Sequence, residues 1–376
     1  MTKPESIGLS AERLARIPTF LEERYIRTGK LPCAQVQVWR RGALALDEVL
    51  GLADRERNRP LEKDAIFRIY SMTKPVTSVA FMMLVEQGLV ALDDPVAKFI
   101  PGWANLGVFA AGTDAGWATT PPARPMLMID LLRHTSGLTY GFQMQGNIDA
   151  AYRKLKVAED LRLGTLQEFI DKLAKLPLVF SPGESWNYSV STDVLGYLVE
   201  TISGMPFADF LERNIFQPLG MVDTAFTVPA DKKHRLTACY AAGVLGSRAV
   251  KAGPPPLQDD PETSPYLTPT DFPSGGGGLT STMADYMRFA RMLLNGGELD
   301  GARLLSPKTL QLMTANHLPG GKGDFFWGGA ASTFFWVDPV EDLTVVFMTQ
   351  LLPSSAYAVR RELRTLVYSA FTEAAG

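Results

Sequence analysis

The chain has 376 residues, 46% hydrophobic and 20% charged, with a formal net charge of −3. That is an ordinary soluble globular composition, and it gives no reason to expect nucleic acid or an anionic membrane as a partner. Two cysteines, Cys33 and Cys239, cannot build a disulfide framework, and the scattered His134, His234 and His317 lack metal-site spacing, so no cofactor or metal is expected.

The opening MTKPESIGLSAERL lacks the apolar core of a secretory signal, and the longest apolar stretch, VAFMMLV at 79–85, is far short of a membrane span. A cytoplasmic enzyme or binding protein is therefore expected. Residues 10–29 read mainly as helix, with Ser10 as cap, Gly29 as stop and Pro18 as the place where it kinks or splits. Residues 34–51 alternate around Arg41-Gly42, the pattern of a β-hairpin. An apolar helix follows over 72–87, then a short helix from Met126 to Arg133 and the turn HTSGL. Thr165 and Glu168 form a capping-box pattern for a helix over 165–175.

Helices are expected near 192–203 and 206–215, whereas the Pro-, Gly- and Asp-rich 252–278 reads as loop, forming a lid or a site wall. Helices return at 282–296 and 306–316. Residues 332–338 and 343–350 form a second hairpin, and a last helix spans about 355–373. With hairpins near both ends, the economical fold is α+β: one antiparallel sheet flanked by the terminal helices, plus a mostly helical lobe. The expected lobes are 1–71 with 275–376, and 72–274, forming a single two-lobed catalytic unit.

One stretch in this series is chemically odd. YSMTKPVT (70–77) places Lys74 three residues after Ser71, where the long apolar run begins. An arbitrary SxxK is a helix cap with a lysine that reaches solvent. Here the apolar helix leaves Lys74 few exits, and burying an ammonium is costly. Residues i and i+3 share a helix face, so Ser71 and Lys74 project together. Serine needs a base to become a nucleophile, and a desolvated lysine can serve as that base or tune another. The free N–H groups at a helix start also favour a developing oxyanion.

SMTK followed by EQGLVALDDPVAKFIP resembles the serine β-lactamase and penicillin-binding superfamily. The nearest branch is the class C β-lactamase-like one that includes the family VIII carboxylesterases. Matching stretches recur in order at 131–138 (LLRHTSGL), 180–200, 215–226, 274–297 and 332–347. The resemblance implies a β-lactamase/transpeptidase-like fold. It implies that Tyr188, in Tyr188-Ser189-Val190, joins Ser71 and Lys74 as the catalytic set. Which of Lys74 and Tyr188 holds the proton at rest stays open. Trp327-Gly328-Gly329 stands where the branch carries its third motif. By the same analogy the Ala330 N–H joins that of Ser71 as the oxyanion hole. Tyr140, after HTSGL, matches a position where related esterases place a site tyrosine.

Two departures bear on substrate. Trp327 replaces the cation, and Val190 the asparagine, with which the lactamases of the superfamily hold a β-lactam. The resemblance thus implies a small or short-chain ester as substrate, with little β-lactamase activity. Acyl transfer, amide or β-lactam hydrolysis by the same fold, and a non-catalytic binding protein are the alternatives. No G-x-S-x-G elbow, dinucleotide fingerprint or P-loop is present.

Overall fold

A computed structural model of the chain describes residues 3–158, 162–245, 250, 253–317 and 324–373. They form two compact units. One comprises residues 1–72, 216–268 and 280–376; the other comprises 73–215 and 269–279.

The first unit is built on a six-stranded sheet. Cys33–Arg40 and Ala43–Asp54 form the expected hairpin, with Gly42 at φ 71° in its turn. A left-handed residue there lets a two-residue connection match the twist of the strands. Phe334–Asp338 and Leu343–Met348 form the second hairpin, and Cys33–Arg40 pairs antiparallel with Leu343–Met348. Phe325–Gly328 and Arg59–Pro60 end the sheet on its two sides. Strand neighbours alternate faces. Val36, Val38, Phe334, Trp336, Val345 and Phe347 therefore join Leu14, Ile17 and Leu21 near the amino terminus and Leu363 and Val367 near the carboxyl terminus in one buried core. Phe335 points the other way, against Tyr286 of the helix Met283–Leu294, with ring centroids 5.2 Å apart.

The second unit is mostly helical. Thr73–Glu86 is buried on nearly all sides and packs against Ser191–Ser203. Gly196 lies under the Phe207 ring, whose nearest atom would be 3.1 Å from a Cβ there. No helix among the described residues is long and apolar enough to cross a membrane.

Several elements are shorter than their sequence patterns imply. The expected 10–29 helix is three pieces: Ala11–Leu14, Arg16–Leu21 and a π-type turn Glu22–Ile26. Pro18 sits inside the second piece, where its missing N–H is tolerated in a first turn. The expected 206–215 helix is Phe207–Leu211 followed by a π-type turn. The last helix is Val359–Ser369. A hairpin of Val108–Thr113 and Gly116–Thr120 was not anticipated, because its Ala, Gly and Thr residues are mostly exposed and carry no apolar alternation.

Candidate active site

In the sheet-bearing unit, Ser71 lies in the one-turn helix Tyr70–Met72, which runs directly into Thr73–Glu86. The backbone around it is firmly held. Upstream, the fully buried Arg68 donates to Asp259 Oδ2 (2.6 Å), Thr237 O (2.7 Å) and Ser264 Oγ (2.9 Å). Downstream, Met72 donates its N–H to Ile69 O (3.0 Å) and its carbonyl accepts from the Tyr286 hydroxyl (2.9 Å). Between these anchors Tyr70 adopts φ 43°, a left-handed conformation costly for an aromatic residue.

Trp327 and Gly328 end the strand Phe325–Gly328, and Gly329 and Ala330 begin the turn that follows. This turn abuts the segment before Ser71. A Cβ on Gly329 would overlap Ile69 O, and Thr333 Oγ1 donates to the same carbonyl at 3.5 Å. Among the described residues no backbone carbonyl accepts from the Ala330 N–H.

The helical unit brings Lys74, Tyr140 and Tyr188 together. Lys74 is only 4% exposed. Its ammonium donates to Gly276 O at 2.6 Å and to the Tyr140 hydroxyl at 3.1 Å, and lies 4.7 Å from the Tyr188 ring centroid. The Tyr188 ring is framed by Tyr140 and His134, with centroids at 5.2 Å and 5.1 Å, and by the half-exposed Trp186 at 6.5 Å. The Gln143 side-chain amide donates to the Tyr188 carbonyl.

Sequence reasoning missed the charge that balances Lys74. Asp193, fully buried in the first turn of Ser191–Ser203, accepts from Ser274 Oγ (2.5 Å), the Gly276 N–H (2.9 Å) and the Tyr140 hydroxyl (3.5 Å). Gly276 thus links the two charges through its two flanking peptide groups, its N–H toward the carboxylate and its C=O toward the ammonium. Tyr140 bridges them a second time. Burial raises the pKa of Asp193, while Lys74 and the hydrogen bonds oppose that shift. Burial, then the carboxylate beside it, push Tyr140 well above the usual tyrosine value. Tyr140 therefore remains a protonated donor.

The sequence marks His134 only by its place in the turn HTSGL and its lack of metal-site spacing. It ends the helix Met128–Arg133 at φ 56°, and its Nδ1 lies 3.2 Å from Ser189 Oγ. Burial and the nearby Lys74 charge bring its pKa down to about 3, so it is neutral at physiological pH. The signal for Asp193 was available in principle: an acid opening the apolar helix STDVLGYLVETIS poses the same puzzle as Lys74. No motif marks its partners Ser274 and Gly276. The sequence marks their loop only as a lid or a site wall.

The Beta-lactamase family model matches residues 20–369. An uncharacterized protein of Mycobacterium tuberculosis is 34% identical over 363 residues, covering 86% of this chain and 87% of the relative. Esterase EstB of Burkholderia gladioli is 30% identical over 379 residues, covering 92% and 93%. The structure of EstCE1, titled a hydrolase with promiscuous acyltransferase activity, superposes with a TM-score of 0.77 at 24% identity, covering 96% and 99%.

Proposed function

The chain belongs to the beta-lactamase family, and from that premise we propose that it is a serine carboxylesterase acting on small or short-chain esters. In this reading Ser71 Oγ attacks the ester carbonyl and Tyr188, aided by Lys74, accepts its proton. The tetrahedral oxyanion is held by the N–H groups of Ser71 and Ala330. The proton passes to the leaving alcohol, and an acyl-enzyme remains on Ser71. Water, deprotonated by the same base, then attacks the acyl carbonyl, and Ser71 is regenerated with release of the acid.

The observation that carries the reading is Lys74. An ammonium 4% exposed, tied to Gly276 O and the Tyr140 hydroxyl beneath the Tyr188 ring, has no structural need to be there. A leucine would pack such a helix at lower cost. In this reading Tyr140, stacked on Phe142 at 4.7 Å, offers the ester an apolar wall, while the missing side chains of Gly328 and Gly329 make room for Arg360 and for Ile69 O. Two features support weak β-lactam turnover: Val190 is fully buried, and Trp327 stands where a cation would hold a carboxylate.

The test is hydrolysis of a short-chain p-nitrophenyl ester beside a chromogenic cephalosporin, with wild type and Ser71→Ala. Ester turnover should fall by at least ~10³-fold in the variant, with little cephalosporin turnover in either protein. No ester turnover by wild type, and no acyl adduct on Ser71, would sink the reading. The fold shared with a hydrolase of promiscuous acyltransferase activity raises a second outcome for the same intermediate. Added alcohol should then divert the acyl group into a new ester, measured as product partitioning at constant p-nitrophenol release.

A further inference from the structure

The turn proposed to present the oxyanion-binding Ala330 follows a strand at the end of the sheet order, where pairing comes from one side only. Something else must fix it. Arg360, on the helix Val359–Ser369, reaches over this turn. Its Nη2 donates to Gly329 O at 2.6 Å and to Thr333 O at 3.0 Å, the carbonyls on either side of Ala330–Ser332. Gly328 makes room for it: a Cβ there would lie 2.5 Å from the Arg360 Cζ and 2.6 Å from both terminal nitrogens.

The turn between these carbonyls is strained. Ser332 adopts φ 69°, and its hydroxyl donates to Leu351 O at 2.7 Å. Leu351 in turn donates its N–H to Ala331 O at 3.0 Å, and Gly329 donates to Thr333 O at 2.8 Å. A non-glycine residue in that conformation persists only where its surroundings over-determine it. The result is a turn whose carbonyls are engaged on one side, leaving the Ala330 N–H without a backbone acceptor among the described residues.

We propose that Arg360 is a positioning residue for the oxyanion site: its guanidinium clamps the Gly329 and Thr333 carbonyls and thereby aims the Ala330 N–H. The inference rests on the acyl-enzyme reading above and extends it to a residue outside every motif of the sequence. Arg360 acts through the backbone and touches no reacting atom. Both bonds leave one terminal nitrogen, Nη2, whose two N–H groups are fixed in the guanidinium plane, an orientation the freely rotating lysine ammonium does not hold. A donor matters for an oxyanion only when held at the right spot before charge develops, so loosening the turn should cost transition-state binding while ground-state binding survives.

The experiment compares wild type, Arg360→Lys and Arg360→Ala in two assays. One is p-nitrophenyl butyrate hydrolysis. The other is inhibition by an alkyl trifluoromethyl ketone, whose adduct with Ser71 places an oxyanion in the same position. Arg360→Ala should lower kcat about 100-fold and Arg360→Lys about tenfold, with KM within about threefold of wild type. Affinity for the ketone should fall in step with kcat. Millimolar guanidinium chloride, far below denaturing concentrations, should restore part of both in Arg360→Ala, an effect a purely structural staple would not show. A loss confined to KM, or kcat within about threefold of wild type in the Lys variant, overturns the proposal. If Arg360→Ala does not fold, the kcat-against-KM split of Arg360→Lys decides alone. Wild type inert to both ester and ketone would overturn the esterase reading itself, and the role of Arg360 with it.

Discussion

At the residue scale, Lys74 and Asp193 are buried groups of opposite charge within the helical unit. Lys74 and Asp193 do not stand alone; Tyr140 and the backbone of Gly276 connect them. Removing one member of such a set leaves an uncompensated charge, which costs more than the set itself contributes. Asp193→Asn should therefore lower stability by about 3 kcal/mol and depress kcat together; urea melts beside ester kinetics check this, and an unaltered midpoint would refute it. His134 has a distinct signature. Its folded-state pKa, about 3, lies below its ordinary value. The unfolded chain therefore binds an extra proton between roughly pH 3 and 6.5, and stability falls as pH drops through that window. The loss from this group is about 2 kcal/mol between pH 7 and pH 5. His134→Asn keeps a polar partner for Ser189 and should abolish that component. Asp193, shifted the other way, contributes equally to both proteins and cancels. Equal pH dependence of the two urea midpoints would rule the account out.

At the element scale, local signals were read well where they are self-contained. The Thr165–Glu168 capping box is present in full. Thr165 Oγ1 accepts from the Glu168 N–H at 3.1 Å, and Glu168 Oε2 accepts from the Thr165 N–H at 3.0 Å. Thr165 is exposed and contacts none of the candidate site residues, so Thr165→Ala should cost about 1 kcal/mol with ester turnover unchanged; thermal melting and a single kcat measurement suffice. The two hairpins were legible because strand alternation and a left-handed turn residue are properties of adjacent positions. The Val108–Thr120 hairpin was not, since its exposed Ala, Gly and Thr residues give no periodic signal. The N-terminal helix was over-extended for a related reason: nothing local marks where an α-helical ladder gives way to a π-type turn.

At the scale of the sheet-bearing unit as a whole, both ends of the chain are tied to the sheet by one buried cation. Arg40, wholly buried, donates to Ile7 O and Gly8 O near the start, to Glu373 O near the end, and to Glu341, with its guanidinium 4.1 Å from the Phe371 ring centroid. Arg40→Met keeps the bulk but strands these acceptors and the Glu341 charge. It should destabilise by about 3 kcal/mol or more, while kcat at saturating ester and moderate temperature stays near wild type. A melting temperature within a degree or so of wild type would contradict this.

The amino-acid sequence by itself determined the α+β class, the order of most of the elements and the Ser71–Lys74 spacing. Each follows from neighbours along the chain: a periodicity, a cap, a turn or an i,i+3 pair. The tertiary structure decided what answers the buried charges. Asp193 meets Ser274 and Gly276 across some eighty positions of sequence, and Arg360 meets Gly329 from a helix thirty-one residues on. The physical reason is that a buried polar group must find a partner but does not prescribe which one. Any donor the fold delivers to the right point will serve, and that delivery depends on the packing of every element between.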